Sequence, residues 1–118
     1  SKAKQQYELY YEQLLNNIVD VIQVVDEKGK VIYSSKSILN LTGYSQEEAL
    51  VIDPFIWIHP EDKERVQKEF TDFNASNKID FSTQYRIVTK SKEIKHVETK
   101  VVNANQNTLV KGFIATIR

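Results

Sequence analysis

An alternation of apolar and polar side chains through the last third of the chain restricts the possible folds more than any other feature. Three segments place apolar or β-branched residues mostly at odd positions: Phe81–Ile87, Ile94–Val102 and Leu109–Ile117. Successive side chains of a β-strand point to opposite faces, so a period of two predicts strands with one buried face. The short polar stretches TKSKE and NANQN between them suit antiparallel neighbours. These residues therefore predict an antiparallel sheet that is covered on one side.

A β-hairpin is predicted nearer the beginning of the chain. Two β-branched runs, Val21–Val25 and Val31–Tyr33, flank a polar turn that contains Gly29. Glycine has no Cβ, so it readily adopts the positive φ that such turns often require. The two runs raise the predicted number of strands to five.

The middle of the chain is predicted to be helical. Gly43 stands where the C-cap of a short helix is expected, and Ser45 with Glu48 matches the capping-box pattern at the start of the next helix. A longer helix is predicted over Pro60–Phe73, with its apolar side chains facing inward. Helices grouped between two sets of strands indicate an α+β fold, in which helices cover one face of a single antiparallel sheet.

The first segment predicts an amphipathic helix with an aromatic stripe. Its apolar residues recur at helical spacing, namely Tyr7, Tyr10, Tyr11, Leu14, Leu15 and Ile18. Two interpretations of this stripe remain open. It packs on the sheet of its own domain, or it forms the seam of a homodimer or a helix-in-groove contact.

Composition narrows the class of protein. The chain has 118 residues, enough for one domain, and its 16 basic and 16 acidic residues cancel, so no global charge favours nucleic acid or an anionic membrane. The absence of cysteine removes disulfides, thiolate metal sites and cysteine nucleophiles, and it fits a reducing cytoplasm. No apolar run approaches the length of a transmembrane helix. Because no initiator methionine is present, we expect a piece of a longer protein, whose parent can still be membrane-anchored.

The stretch IWIHPEDKERV gathers the only tryptophan, one of two histidines and three carboxylates, which suggests either a catalytic or metal pocket or an ordinary helix start. Pro60 suits the first helical position, and Glu61 and Asp62 suit the first turn, where the helix dipole favours negative charge. His59 then occupies the cap position. No second histidine follows at a metal-binding spacing, and no nucleophile or phosphate-binding motif occurs anywhere. The sequence therefore favours a helix start, with no metal site and no enzyme activity.

The order of elements and several motifs together resemble the PAS domain, a sensory module of bacterial signalling proteins. The resemblance covers Leu15 to Arg118 and is carried by VDVIQVVDEKGKVIYSS, ILNLTGYSQEEAL, WIHPEDKERV, FSTQYRIVTK and GFIATIR. It is closest to the subgroup with a Trp and His-Pro before the long helix. It implies a five-stranded antiparallel sheet of order 2-1-5-4-3, with a flanking helix at residues 1–14 and the PAS domain at residues 15–118.

The resemblance implies sensing, dimerisation and relay to an output domain of the same parent chain, commonly a histidine kinase or a cyclic-di-GMP enzyme. Without cysteine, neither the flavin–cysteine adduct nor the cysteine-linked chromophore of light-sensing relatives can form. Haem is disfavoured, because His59 precedes the long helix in a motif that carries a histidine without haem. The family's Gly in the turn before the fourth strand is missing from Lys90-Ser91-Lys92, its Trp in that strand is replaced near His96, and its Gly after EEAL is Val51. The identity of any cofactor stays unknown.

The resemblance also places a small-molecule pocket between the sheet and the helices. The predicted lining residues are Ile22, Val24, Leu39, Ile52, Phe55, Trp57, Phe70, Tyr85, Ile87 and Phe113, with Gln84, Tyr85 and Arg86 as polar candidates. Dimerisation is assigned to Tyr7, Tyr10, Tyr11 and Leu14. The first helix and the strand end at Arg118 are the expected routes of transmission. The alternative function is a pocketless protein-interaction and dimerisation domain, whose large side chains fill the interior.

Overall fold

The sheet has the predicted strand order. The computed structural model describes residues 20–104 and 112–118. In these residues five strands form one antiparallel sheet, ordered β2-β1-β5-β4-β3. The strands are β1 (Val21–Val25), β2 (Val31–Ser34), β3 (Asp80–Val88), β4 (Ile94–Asn103) and β5 (Phe113–Ile117). The prediction of an α+β fold with sheet order 2-1-5-4-3 is confirmed.

Three helices lie between the second and third strands: α1 (Ile38–Thr42), α2 (Gln46–Val51) and α3 (Pro60–Asn74). Their ends agree with the sequence. Gly43 adopts the left-handed conformation after α1, Ser45 and Glu48 form both bonds of a capping box on α2, and Pro60 starts α3 behind His59. None of the described helices is long and apolar enough to span a bilayer.

Some predicted features lie outside the described residues. These are the N-terminal helix, the boundary at residue 15 and the beginning of the last predicted strand, including Leu109. Within the described residues, β2 extends one residue further than predicted, and the β3–β4 turn places Lys92 at φ 74°, at the position where the resemblance leads us to expect glycine.

The core lies between the inner face of the sheet and the helices. The middle odd positions of β3 and β4, residues 83, 85 and 87 and residues 97, 99 and 101, are buried there, as the alternation predicts. Val66 of α3 is fully buried, and Trp57 packs in the same cluster as Ile87 and Val97. A second, smaller cluster joins Phe73 to the far end of the sheet. Between the two clusters the side chains leave a cavity.

Candidate functional site

A cavity of about 540 Å³ opens between the inner face of the sheet and helix α3. Its size falls within the usual range of small-molecule pockets. The β1–β2 hairpin, the segment before α3, α3 itself and each of strands β3 to β5 contribute to its wall. The described lining residues are Gln23, Val25, Glu27, Lys28, Gly29, Pro54, Phe55, Trp57, Ile58, Gln67, Phe70, Thr71, Phe73, Asn74, Tyr85, Thr99, Val101, Phe113, Ala115 and Ile117.

The sheet side of the cavity is a row of residues that face each other across three neighbouring strands. Ala115 of β5 lies opposite Gln23 on one side and opposite Val101 on the other. All three side chains point inward because they occupy the inner positions of their strands. The small side chain of Ala115 leaves space above the middle of this row.

Aromatic rings enclose the cavity. Phe55 and Phe70 meet edge to face with their ring centroids 5.5 Å apart. Phe73 and Phe113 are 5.9 Å apart at the other end. Such pairs hold each other in defined orientations. The rings therefore form a firm apolar wall.

Three buried polar side chains interrupt this apolar lining, and none carries a formal charge. Gln23 is 3% exposed. The Tyr85 and Thr99 hydroxyls are hydrogen-bonded to each other at 2.7 Å. Burial raises the pKa of Tyr85 above its ordinary value, since desolvation disfavours the phenolate, so the ring remains a neutral phenol at physiological pH.

Half of the predicted lining residues lie on the cavity wall. These are Phe55, Trp57, Phe70, Tyr85 and Phe113. Whether they bind a ligand stays a prediction.

The structure places the other five outside the cavity wall. Ile22 and Val24 occupy positions of β1 that alternate with the cavity-lining Gln23 and Val25. Leu39 is 52% exposed on α1. Ile52 and Ile87 pack in the main core cluster but do not reach the cavity.

Two predicted polar residues also face away from the cavity. Gln84 and Arg86 occupy even positions of β3 and line a separate open groove of about 430 Å³ with His96, Glu98 and Arg118. Tyr85, which lies between them in sequence, is the one predicted polar residue that lines the cavity.

Gln23, Thr99 and Ala115 are three of the fifteen lining residues that sequence reasoning missed. Strand β1 reads VIQVV, with apolar residues on both faces and the glutamine on one. An apolar-inside rule therefore selects the wrong face. Thr99 could have been found from the sequence, because it lies on the face of β4 that the alternation predicts to be buried. In the structure it is fully buried.

The stretch around His59 covers one edge of the sheet. It lies along β3, which among the described strands has a neighbour on one side only. The Val88 amide donates to the Trp57 carbonyl at 2.7 Å, and the His59 amide donates to the Arg86 carbonyl at 2.9 Å. Arg65 of α3 donates to the Gln84 carbonyl at 2.8 Å. The stretch thus covers backbone groups that an exposed sheet edge would offer to another chain.

Asp62 provides the strongest electrostatic contact of this covering segment. Its carboxylate accepts from the Arg86 backbone amide at 2.8 Å and from two nitrogens of the Arg86 guanidinium at 2.9 and 3.0 Å. Hydrogen bonds from Arg86 hold the pKa of Asp62 well below its ordinary range. The Asp62–Arg86 charge pair therefore holds the first turn of α3 against β3.

The histidine acts as predicted for a helix start. Nδ1 of His59 accepts from the Glu61 amide at 3.1 Å. In the part of the chain that the structure describes, no three His, Cys, Asp or Glu residues are grouped to hold a metal ion. The predicted dimerisation residues Tyr7, Tyr10, Tyr11 and Leu14 lie outside that part.

The comparisons with known proteins agree with one another on the fold of this chain. A family model described as PAS fold matches residues 31–117. No curated protein matches the chain. Among solved structures, a PAS domain from Colwellia psychrerythraea is 24% identical with a TM-score of 0.78, over 100% of this chain and 96% of that one.

Two further solved structures belong to signalling proteins. A PAS domain from a two-component sensor histidine kinase is 15% identical with a TM-score of 0.77, covering 98% of this chain and 97% of that one. The N-terminal domain of a diguanylate cyclase with a PAS/PAC sensor, from Marinobacter aquaeolei, is 20% identical with a TM-score of 0.70, covering 84% and 93%.

Proposed function

Because the chain belongs to the PAS-fold family, we propose that it is a non-catalytic sensory module that binds a small molecule in its cavity and relays the event to an output domain of the same protein. Solved relatives of this fold occur in a histidine kinase and a diguanylate cyclase. We propose an output of one of these two kinds. The absence of cysteine supports a cytoplasmic location for the domain.

The cavity is the observation that carries this proposal. Its 540 Å³ is left open by the described side chains, although large rings surround it. A well-packed core of this size contains few voids larger than a water molecule. An apolar cavity with a small number of neutral polar groups is the arrangement that orients a small molecule.

The strands under the cavity lead directly to both ends of the domain. Gln23 lies on β1, which begins beside Asp20, and Ala115 lies on β5, which ends beside Arg118. Asp20 and Arg118 form an ion pair at 3.2 Å. A ligand that displaces these inward side chains therefore acts on β1 and β5, the first and last strands of the sheet in sequence order. It shifts the output only if it binds one arrangement of these strands more tightly than another.

Native mass spectrometry of the freshly purified chain, followed by thermal melts with a panel of metabolites, tests the sensing function. We expect a retained small molecule or a compound that raises the melting temperature. The variant Ala115→Leu fills the space above the sheet and should abolish both signals. A clean unliganded mass under all purification conditions, together with melts that no compound changes, would contradict the proposal.

One observation favours the alternative function, a protein-interaction and dimerisation domain. The outer face of the sheet carries apolar residues on adjacent strands: Ile22, Val24, Ile32, Val102 and Ile114. Ile32 is 52% exposed. An exposed apolar patch on a sheet is a common docking surface for another chain or element. The aromatic stripe of the N-terminal segment is the natural candidate to cover it, within one chain or between two.

A further inference from the structure

The Gln23 amide retains unused hydrogen-bonding capacity inside the cavity. Its nitrogen Nε2 lies 3.4 Å from the Ser34 hydroxyl, at the far limit of a hydrogen bond. Its oxygen Oε1 has no hydrogen-bond partner among the described residues. This oxygen is not fully buried and meets the open space of the cavity. A ligand that donates a hydrogen bond to it therefore takes the place of water there.

The Tyr85–Thr99 pair supplies a hydrogen-bond donor, whereas the Gln23 oxygen supplies an acceptor. Two hydroxyl groups carry two protons, and a single bond of 2.7 Å between the oxygens uses one of them. The second proton has no protein acceptor in the part of the chain described. When Thr99 donates within the pair, the Tyr85 hydroxyl keeps its proton for a ligand acceptor. Ligand binding requires this arrangement, because Thr99 is fully buried.

The interior carries no formal charge from the described residues. The two charged side chains on the cavity wall, Glu27 and Lys28, are exposed at its rim in the β1–β2 turn. An ionised ligand group inside would lose its hydration without gaining an opposite charge, which is strongly unfavourable. The chemistry of the interior therefore selects against anions and cations.

The spacing of the two polar positions sets the length of the ligand. Gln23 lies on β1 and Thr99 on β4, with β5 between them, and Thr99 is two residues along β4 from Val101 in the row of Gln23. Their backbones are therefore about 12 Å apart at the ordinary spacings of strands and residues. One small polar group does not meet both side chains. Between them the small Ala115 and the enclosing aromatic rings leave room for a flat apolar body.

We propose that the cavity binds an uncharged, flat, fused-ring compound that carries a hydrogen-bond donor at one end and an acceptor at the other. The donor bonds Oε1 of Gln23, and the acceptor receives the spare proton of the Tyr85–Thr99 pair. This inference rests on the sensory function proposed above and specifies the chemical class of its ligand.

Four naphthalene derivatives test the proposal by fluorescence titration at pH 7. Methyl 6-hydroxy-2-naphthoate is neutral with a donor and an acceptor at opposite ends, 2-naphthol has the donor alone, naphthalene has neither, and 6-hydroxy-2-naphthoate is an anion. We expect the methyl ester to bind tightest, and at least about tenfold more tightly than the anion. Gln23→Leu and Tyr85→Phe should each weaken the ester about three- to tenfold. Naphthalene should bind both variants as it binds the parent chain.

Two control variants assign the binding to the cavity. Ala115→Leu should block all four probes. Gln84→Leu changes a glutamine on the opposite face of the sheet and should change none of the affinities. The thermal melt of each variant establishes that it is folded.

The outcomes separate this inference from the function on which it rests. Equal affinities for the ester and the anion, or ester binding that Gln23→Leu and Tyr85→Phe leave unchanged, would overturn the ligand class. So would failure of all four probes to bind. If native mass spectrometry then finds a retained compound of another class that Ala115→Leu excludes, sensing stands and only the ligand class is wrong. If it finds none and no metabolite raises the melting temperature, the sensory function fails as well.

Discussion

Gly112 is the residue at which a single added carbon meets the backbone of a neighbouring strand. It has φ 132°, and a Cβ at this position would lie 2.0 Å from the Val25 carbonyl oxygen and 2.9 Å from Asp26 Cα. Both contacts are with main chain, which cannot move aside without displacing β1. The position therefore requires glycine for space as well as for conformation.

We predict that Gly112→Ala lowers the free energy of unfolding by at least about 2 kcal/mol. Gly29→Ala is the matched control, because Gly29 also has a positive φ, of 86°, but no atom within 4 Å of the added carbon. It should cost about 1 kcal/mol, the conformational strain alone. Urea denaturation of the two variants gives the comparison. Equal losses would show that the contact with Val25 does not matter.

Asp62 makes the stability of the domain depend on pH. Its pKa is lowered in the folded state, so its contribution is fully present above the unfolded value near 4 and is lost as the pH falls through the lower folded value. We predict that Asp62→Asn lowers the melting temperature at pH 7 and that its difference from the parent chain narrows below about pH 4.

Glu61→Gln is the control for this prediction. Glu61 touches the same Arg86 at 3.1 Å, but its side chain is 73% exposed, against 14% for Asp62. Exposed ion pairs contribute little, so its melting curves should follow the parent chain from pH 7 to pH 2. If Asp62→Asn behaves in the same way, the charge pair does not stabilise the fold.

Local signals account for what the sequence predicts at single residues. The cap at Ser45 and the turn at Gly29 involve neighbours within four positions, and both are confirmed. The Asp62–Arg86 pair joins residues that are 24 positions apart. Asp62 was predicted to stabilise its own helix, and nothing in its local sequence indicates the second partner.

At the level of elements, the segment Trp57–Arg65 connects a sheet edge to the start of a helix. His59 takes part in both, because its backbone amide bonds β3 while its side chain caps α3. The apolar cavity wall, the covered edge and the long helix therefore share one stretch of chain. A substitution that removes the His59 cap should therefore destabilise the cavity wall, the covered edge and α3 together.

We predict that His59→Ala lowers the free energy of unfolding by about 1 kcal/mol, through loss of the cap on α3. His59→Asn should restore most of it, because asparagine accepts the same amide hydrogen. Chemical denaturation measures both. A bound metal or haem that is present in the parent chain and lost in His59→Ala would contradict the structural role.

The positions of the helices and strands were largely predictable from the sequence. Which face of a strand is buried was not always predictable. Strands β3 and β4 alternate clearly, and their buried sides are as predicted. Strand β1 has apolar residues on both faces because one face meets the cavity and the other forms the outer patch. Its inward residues depend on pairing with β5, which lies some ninety residues later in the chain.

At the level of the whole molecule, family membership fixes the fold, whereas the cavity volume depends on side chains contributed from distant parts of the chain. The row Gln23, Ala115 and Val101 exists only after three strands are aligned. Composition and periodicity contain no information about this alignment. The sequence therefore indicates a pocket through the resemblance alone, and only half of its predicted lining is placed there.

Assembly is tested on the whole chain. We predict that the 118-residue protein is a homodimer by light scattering and that deletion of Ser1–Gln13 lowers the measured mass, because the aromatic stripe is removed. Tyr10→Glu should act in the same direction, whereas Gln13→Glu, which lies off the stripe, should leave the mass unchanged. A full chain that is monomeric at high concentration would contradict the prediction.

The closeness of Asp20 and Arg118, which form an ion pair, determines how the domain responds to a pulling force. The ion pair joins the beginning of β1 to the end of β5, and these strands are antiparallel neighbours, with Val21 opposite Ile117 at the same end. Tension applied to these two points would load the hydrogen bonds between the strands one after another, as in a zipper, rather than all at once. The domain should therefore yield to a small pulling force even where its resistance to heat is high.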